Sequence, residues 1–133
     1  MRFGKLDPEL KTVIEMDKPP WPTKLRLTEQ GRNLEILFDS GEVFSLSAEY
    51  LRVTSPSVEV RGHSPSEKKV IAGKRSVAVL ALKPVGSYAV LLEFDDKHAS
   101  GIYSWDYLHR LGADREQIWH RYIEELAKKG LSR

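Results

Sequence analysis

Three observations predict an α+β fold. Residues Thr23 to Leu46 alternate apolar and polar with a period of two, the pattern of antiparallel strands with one buried face. Two more strand-length apolar runs, Val77 to Leu82 and Tyr88 to Phe94, follow a polar stretch. Past Asp114 the period becomes helical, with Ile118, Trp119, Tyr122, Ile123 and Leu126 on one face. Together they predict an antiparallel or mixed sheet, a short helix after the first meander, and two C-terminal helices.

In order, Asp7-Pro8-Glu9-Leu10 reads as a helix start, with Leu10, Val13 and Ile14 as a short stripe. Pro19-Pro20-Trp21-Pro22 stops it, so residues 1–22 are expected to be an extension or linker, with Trp21 placed to pin it. Leu25 and Leu27 make the first strand. Gln30-Gly31-Arg32-Asn33 turns into Leu34, Ile36 and Phe38, and Asp39-Ser40-Gly41-Glu42 turns into Val43, Phe44 and Leu46. Ser47 can cap a helix over Ala48 to Arg52, which Thr54-Ser55-Pro56-Ser57 breaks; Val58 and Val60 suit a brief strand.

The polar stretch Gly62 to Arg75 collects Arg61, Lys68, Lys69, Lys74 and Arg75 against Glu67 alone. It lacks the interleaved aromatics that stack on bases, so a solvated loop is favoured over a nucleic-acid contact. Val77 to Leu82, nearly continuous in apolar residues, predicts a central strand covered on both faces. Pro84-Val85-Gly86-Ser87 turns into Tyr88 to Phe94, Asp95 to Ser100 forms a loop, and Gly101-Ile102-Tyr103 a short strand. Ser104 caps a helix to Leu111, with Gly112 as its stop. Asp114-Arg115-Glu116-Gln117 opens the last helix as a capping box, closed by Lys128, Lys129 and Gly130. No internal repeat is evident.

At 133 residues the chain is long enough for one core, and 41% hydrophobic with 30% charged residues excludes general disorder. A net charge of +2 is too small to point to nucleic acid or a membrane. The lack of cysteine excludes disulfides, thiolate metal sites and cysteine nucleophiles, and suits a reducing cytoplasm. No apolar run reaches the roughly 18–20 residues that span a bilayer, and Met1 to Lys11 lacks the apolar core of a signal peptide. A cytoplasmic chain without a membrane partner is expected.

The densest chemistry lies in the passage from Phe94 to Leu108. Asp95, Asp96 and His98 form a candidate metal site or acid/base pair, with His109 or His63 as a further ligand; the favoured alternative is a polar network, with an aspartate capping the loop and His98 hydrogen-bonded within the fold. Tyr103, Trp105, Tyr107 and Leu108 line either a groove or the core. Ser55 and Ser57 lack a nucleophile elbow or a local base, and Gly73-Lys74-Arg75-Ser76 lacks the upstream glycine of a phosphate loop.

Two segments carry a family likeness: Tyr50-Leu51-Arg52 followed by Ser55-Pro56-Ser57, and Asp95-Asp96-Lys97-His98 with Ser100-Gly101-Ile102-Tyr103-Ser104-Trp105. From about Thr23 to Gly112 the chain resembles the gamma-butyrobetaine-hydroxylase-like N-terminal domain family. This small uncharacterised domain stands alone in many bacteria, precedes the catalytic domain of carnitine-biosynthesis dioxygenases, and is attached to iron–sulfur carrier ATPases. The resemblance implies a 23–112 domain followed by a 113–133 C-terminal helix packed on it. In the dioxygenase-fused members, three cysteines and a histidine hold a structural zinc. The matching positions here are Ser55, Ser57, Val60 and His98, so that site is expected to be lost and no cofactor is expected.

The catalytic iron of those dioxygenases belongs to a separate, larger domain, so no enzymatic activity is expected. A non-catalytic adaptor that binds another protein is the leading expectation, with a link to iron–sulfur or oxygenase systems implied by the resemblance. Arg52, Arg61, His98, Tyr103 and Trp105 are its candidate contact residues. The alternatives are a metal-binding protein or small enzyme using Asp95, Asp96 and His98, and a weak nucleic-acid binder using the basic 61–75 loop.

Overall fold

A computed structural model of the chain describes residues 20–56, 70–96 and 101–133. Its strands form two three-stranded antiparallel meanders. The first contains β1 (Pro22–Thr28), β2 (Asn33–Phe38) and β3 (Val43–Ser47); the second contains β4 (Val79–Val85), β5 (Ala89–Phe94) and β6 (Gly101–Ser104). Helix α1 (Ala48–Val53) follows β3, α2 (Trp105–Ala113) follows β6, and α3 (Arg115–Lys128) comes last. The class is α+β, with the strands divided between two sheets.

Strand alternation builds the core. Leu34, Ile36 and Phe38 of β2 face inward, as do Val90, Leu92 and Phe94 of β5, and all six are buried. They meet Tyr50 and Leu51 of α1, Tyr103 of β6, and Leu108 and Leu111 of α2 in one cluster. Each such side chain contributes roughly 1.5–3 kcal/mol relative to exposure.

The two meanders repeat one another residue by residue, which corrects the expectation of no internal repeat. In β1, Pro22 pairs with Phe38 and a bulge follows before Lys24; in β4, Val79 pairs with Phe94 and a bulge follows before Ala81. Asp39 accepts a hydrogen bond from Trp21 N (3.2 Å) and returns its own N–H to the Trp21 carbonyl (2.7 Å). Asp95 does the same with Ala78, at 3.0 Å each way. Ala48 N donates to the Arg32 carbonyl (2.8 Å), and Trp105 N to the Tyr88 carbonyl (3.1 Å). Ser47 Oγ accepts from Tyr50 N (3.0 Å) and Ser104 Oγ from Tyr107 N (3.1 Å), so both expected caps form.

The units also embrace reciprocally, as subunits do across a two-fold axis. The Tyr50 hydroxyl of α1 donates to the Leu111 carbonyl of α2 (2.7 Å), and the Tyr107 hydroxyl of α2 donates to the Thr54 carbonyl just past α1 (2.6 Å). Each tyrosine thereby satisfies a carbonyl left over at the other helix's end. The sequence echo is short, Ser-x-acid-Tyr-Leu at Ser47 to Leu51 and at Ser104 to Leu108. Elsewhere the units share strand register and backbone hydrogen bonds rather than residue identity.

Three further expectations are corrected. The Val77 to Leu82 run does not form a central strand: β4 is an edge, β5 is the middle strand, and Leu80 at the bulge is 66% exposed. Pro84, which has no N–H for a second neighbour, is tolerated there for the same reason. Gly112 lies inside α2, and a Cβ there would run into the Phe44 ring; it permits close packing and does not end the helix. The Asp114 side chain forms no cap hydrogen bond, because its backbone N–H still donates to the Arg110 carbonyl (2.9 Å) and continues the turn from α2.

Helix α3 lies against α1. Trp119 meets the Tyr50 ring edge-on, with centroids 6.2 Å apart. Arg133 grips the buried Glu49 with both prongs (2.9 and 2.8 Å) and lies over the Trp119 ring. That hydrogen bond raises the arginine's pKa further. The Tyr122 hydroxyl donates to the Ile71 carbonyl (2.6 Å), and its burial pushes its pKa up to about 12.

Candidate functional site

The elements carrying the family-like segments converge at the C-terminal end of α1. Arg52 points into the seam between the units and is 2% exposed. Its Nε donates to Asp96 Oδ2 at 2.8 Å, and Lys74 Nζ reaches the same oxygen at 2.7 Å. Two cations therefore share one carboxylate in a largely dry place, where charge pairs are costly to break. Asp95 has a different task, capping the Ala78 N–H as Asp39 caps that of Trp21.

Tyr103 is fully buried, and its hydroxyl donates to the Leu51 carbonyl. Burial raises its pKa, offset in part by a hydrogen bond with Ser55. Ser55 is 1% exposed and lies against Gly101, where a Cβ would run into its hydroxyl. This contact is the counterpart of Gly112 on Phe44 in the first unit. There a phenyl ring fills the seam; in the second, a glycine leaves space beside a serine.

Arg52 and Tyr103, expected as contact residues, are both buried. Burial keeps both side chains from an incoming partner, and they organise the seam instead. Trp105 is half-buried, with its indole N–H donating to the Ser87 carbonyl (2.8 Å). Arg61 and His98 lie outside the described residues, as do Ser57, Val60 and His63. His109 does not approach Asp95 or Asp96; it pairs with Glu42 (2.7 Å) and packs edge-on against Phe38 and Phe44.

Among the described residues no three His, Cys, Asp or Glu side chains are grouped to hold a metal. At the positions where the resemblance to the dioxygenase-fused members implies zinc ligands, the sequence has Ser55, Ser57, Val60 and His98, a set that does not fit a structural zinc with four nitrogen or sulfur ligands. The described end of the basic stretch is tied down: Gly73 N donates to the Ser132 carbonyl (3.0 Å), and Lys74 is committed to Asp96. Its remainder, residues 61–69, lies outside the described residues.

A groove of about 360 Å³ opens beside α2, lined among others by Tyr88, Ile102, Asp106, Tyr107 and Arg110. Tyr88 is 59% and Ile102 50% exposed. Little in the residue pattern signals it, since Ile102 and Tyr88 read as strand residues; among the described residues, their exposure follows from lying on the outer side of the second sheet. No helix among the described residues is long and apolar enough to cross a membrane.

Solved structures resemble most of the chain. One protein solved by NMR in solution is 38% identical, covers 87% of this chain and 91% of its own, and superposes with a TM-score of 0.74. A second NMR structure is 44% identical, with coverage of 88% and 86% and a TM-score of 0.74. A crystal structure of a protein of unknown function in the DUF971 family, from Acidithiobacillus ferrooxidans, is 36% identical; it covers 69% of this chain and 92% of its own with a TM-score of 0.58. No curated protein matches the chain. The family model for gamma-butyrobetaine hydroxylase-like, N-terminal, matches residues 25–109, and the chain belongs to that family.

Proposed function

We propose that the protein is a non-catalytic interaction module that binds another protein through the outer face of its second sheet. One observation carries this reading. On the first sheet, the outer rows nearest the helix are polar: Arg26 pairs with Glu35, and Ser45 bonds Asn33, which bonds Thr28. The same rows of the second sheet hold Leu91 between Lys83 and Ile102, and Ala89 between Val85 and Ser104. Leu91 is half-buried and Ala89 fully buried, so Ile102 and Tyr88 are the exposed apolar side chains here; they line the α2 groove, and exposed apolar surface of this kind suits a partner.

Membership of the family points to partners in iron–sulfur or oxygenase systems. The donor chemistry at positions 55, 57, 60 and 98 supports a module that has dispensed with the zinc of its dioxygenase-fused relatives. Metal analysis of protein purified without a histidine tag should find well under one zinc per chain; stoichiometric zinc would overturn that part.

Affinity capture from the native cell tests the module itself. Wild type should recover a specific partner that Ile102→Asp and Leu80→Asp lose and that Glu35→Ala, on the opposite sheet, keeps. Equal recovery by all four proteins would count against this surface, and no partner with any of them against the module.

A further inference from the structure

Independently of the second-sheet surface, we infer that α3 is a displaceable cover. The face of α1 beneath it is a docking site for an amphipathic helix of a partner protein, and Arg133 on Glu49 is the latch that holds α3 in place. The family match ends at residue 109, before α3 begins, so the matched domain is the pair of meander–helix units and α3 lies outside it. The core of those units owes little to α3. Leu126 is the one buried residue of α3, and Ile118 and Trp119 flank the core cluster half-buried.

The latch, by contrast, is deep. Glu49 is 5% exposed, and among the described residues the cation that answers it is Arg133, which binds it with both prongs and lies over Trp119. Gly130, with a φ of 67°, lets the chain reverse after α3 to bring Arg133 back: Leu131 N donates to the Leu126 carbonyl (2.9 Å) and Gly130 N to the Ala127 carbonyl (3.2 Å). A buried ion pair adds little stability over an apolar contact of the same shape, yet losing one partner strands a charge. Such a pair selects what sits on α1 more than it strengthens the fold.

The seat therefore specifies its visitor. A helix that displaces α3 must bring an arginine to Glu49 and an aromatic ring to Tyr50, the two anchors that Arg133 and Trp119 supply now. A helix without a cation is rejected, because it would leave the Glu49 carboxylate buried and unanswered. The other hydrogen bonds that α3 and its tail give up, from Tyr122 to the Ile71 carbonyl and from Gly73 N to the Ser132 carbonyl, pass to water.

Hydrogen exchange and a synthetic peptide of residues 114–133, both applied to the full chain, test the inference. In wild type the α3 amides should exchange through an opening of their own, faster than those of β2 and β5. Arg133→Glu opens the seat, so it should bind the peptide at least about tenfold more tightly than wild type does, with shifts in the amide resonances of Glu49 and Tyr50. The same peptide carrying Arg133→Glu should not bind. Gly130→Val, which keeps both charges and disfavours only the reversal, should also tighten binding, and circular dichroism checks that both variants fold. Ile102→Asp should leave peptide binding unchanged, which separates this seat from the second-sheet surface.

Exchange of α3 in step with β2 and β5 overturns the cover, as does a peptide that binds wild type and Arg133→Glu equally or binds neither. Equal binding of the two peptides overturns the latch. Dimers that appear on concentration and trade α3 between copies would give the seat to a second copy, and also overturn the proposal.

Discussion

The two meander–helix units share a bulge, an aspartate lock, a serine cap and a tyrosine tether, yet each helix reaches the other unit's turn differently. Arg52 of α1 meets Asp96 past β5 with its side chain 3% exposed; His109 of α2 meets Glu42 past β2 at 24% exposure, with the glutamate at 45%. One geometry thus places a cross-unit side-chain contact in a dry seam and another at a wet rim. The backbone scheme sets where a cross-unit pair forms, and local burial sets its worth.

Removing the carboxylates should separate the two most sharply. Asp96→Ala leaves the Arg52 charge in the seam without its carboxylate, and is expected to cost about 3 kcal/mol or more. Glu42→Ala, at a solvated rim, should cost far less. Urea denaturation of both variants measures the difference, and equal losses would break the contrast.

The seam fillings come next. Gly112→Ala drives a methyl into the Phe44 ring and is expected to destabilise by about 1–3 kcal/mol. Gly101→Ala meets a smaller serine hydroxyl, along with an edge of Tyr103, and should cost less. The reverse order in thermal melts would show that the second unit's seam is the tighter one.

The serine caps should behave alike, because their geometry is the same. Ser47→Ala and Ser104→Ala are each expected to lose about 1 kcal/mol. A markedly larger loss at one cap would mean that its helix does more to hold the units together.

The smallest effect is one of pH. Glu42 is held below the usual carboxylate range, first by its hydrogen bond with His109 and then by that from Ser40. A carboxyl depressed in the folded state stabilises above its unfolded pKa, near 4.5, and that stabilisation is lost as pH falls through the folded value. Between about pH 5 and about pH 3, wild type should therefore lose stability more steeply than Glu42→Gln. Parallel curves would show that the pair contributes nothing.

Much of the fold was legible because its signals are local. Alternation at Leu34, Ile36 and Phe38 gives a strand with one buried face whatever lies beyond it, and Ser47 and Ser104 cap their helices through atoms three residues away. The likeness carried by Tyr50 to Ser57 and Asp95 to Trp105 was readable as well, since it rests on residue order. Even Asp95 as a loop cap followed from the known habits of aspartate.

What the chain alone could not show depends on which segments become neighbours. An apolar run such as Val77 to Leu82 reads the same at an edge as in the middle of a sheet, because only strand order decides what covers Leu80. Gly112 looks like a helix stop until Phe44 is seen to need its space. Arg52 and Tyr103 look exposed until the two units close on one another. The repeat itself escaped notice because the two units conserve pairing register and backbone hydrogen bonding, which many residues satisfy equally well, rather than identity. Sequence by itself determined the elements and their caps; tertiary contact decided which faces were buried, because burial belongs to pairs of surfaces and not to either one.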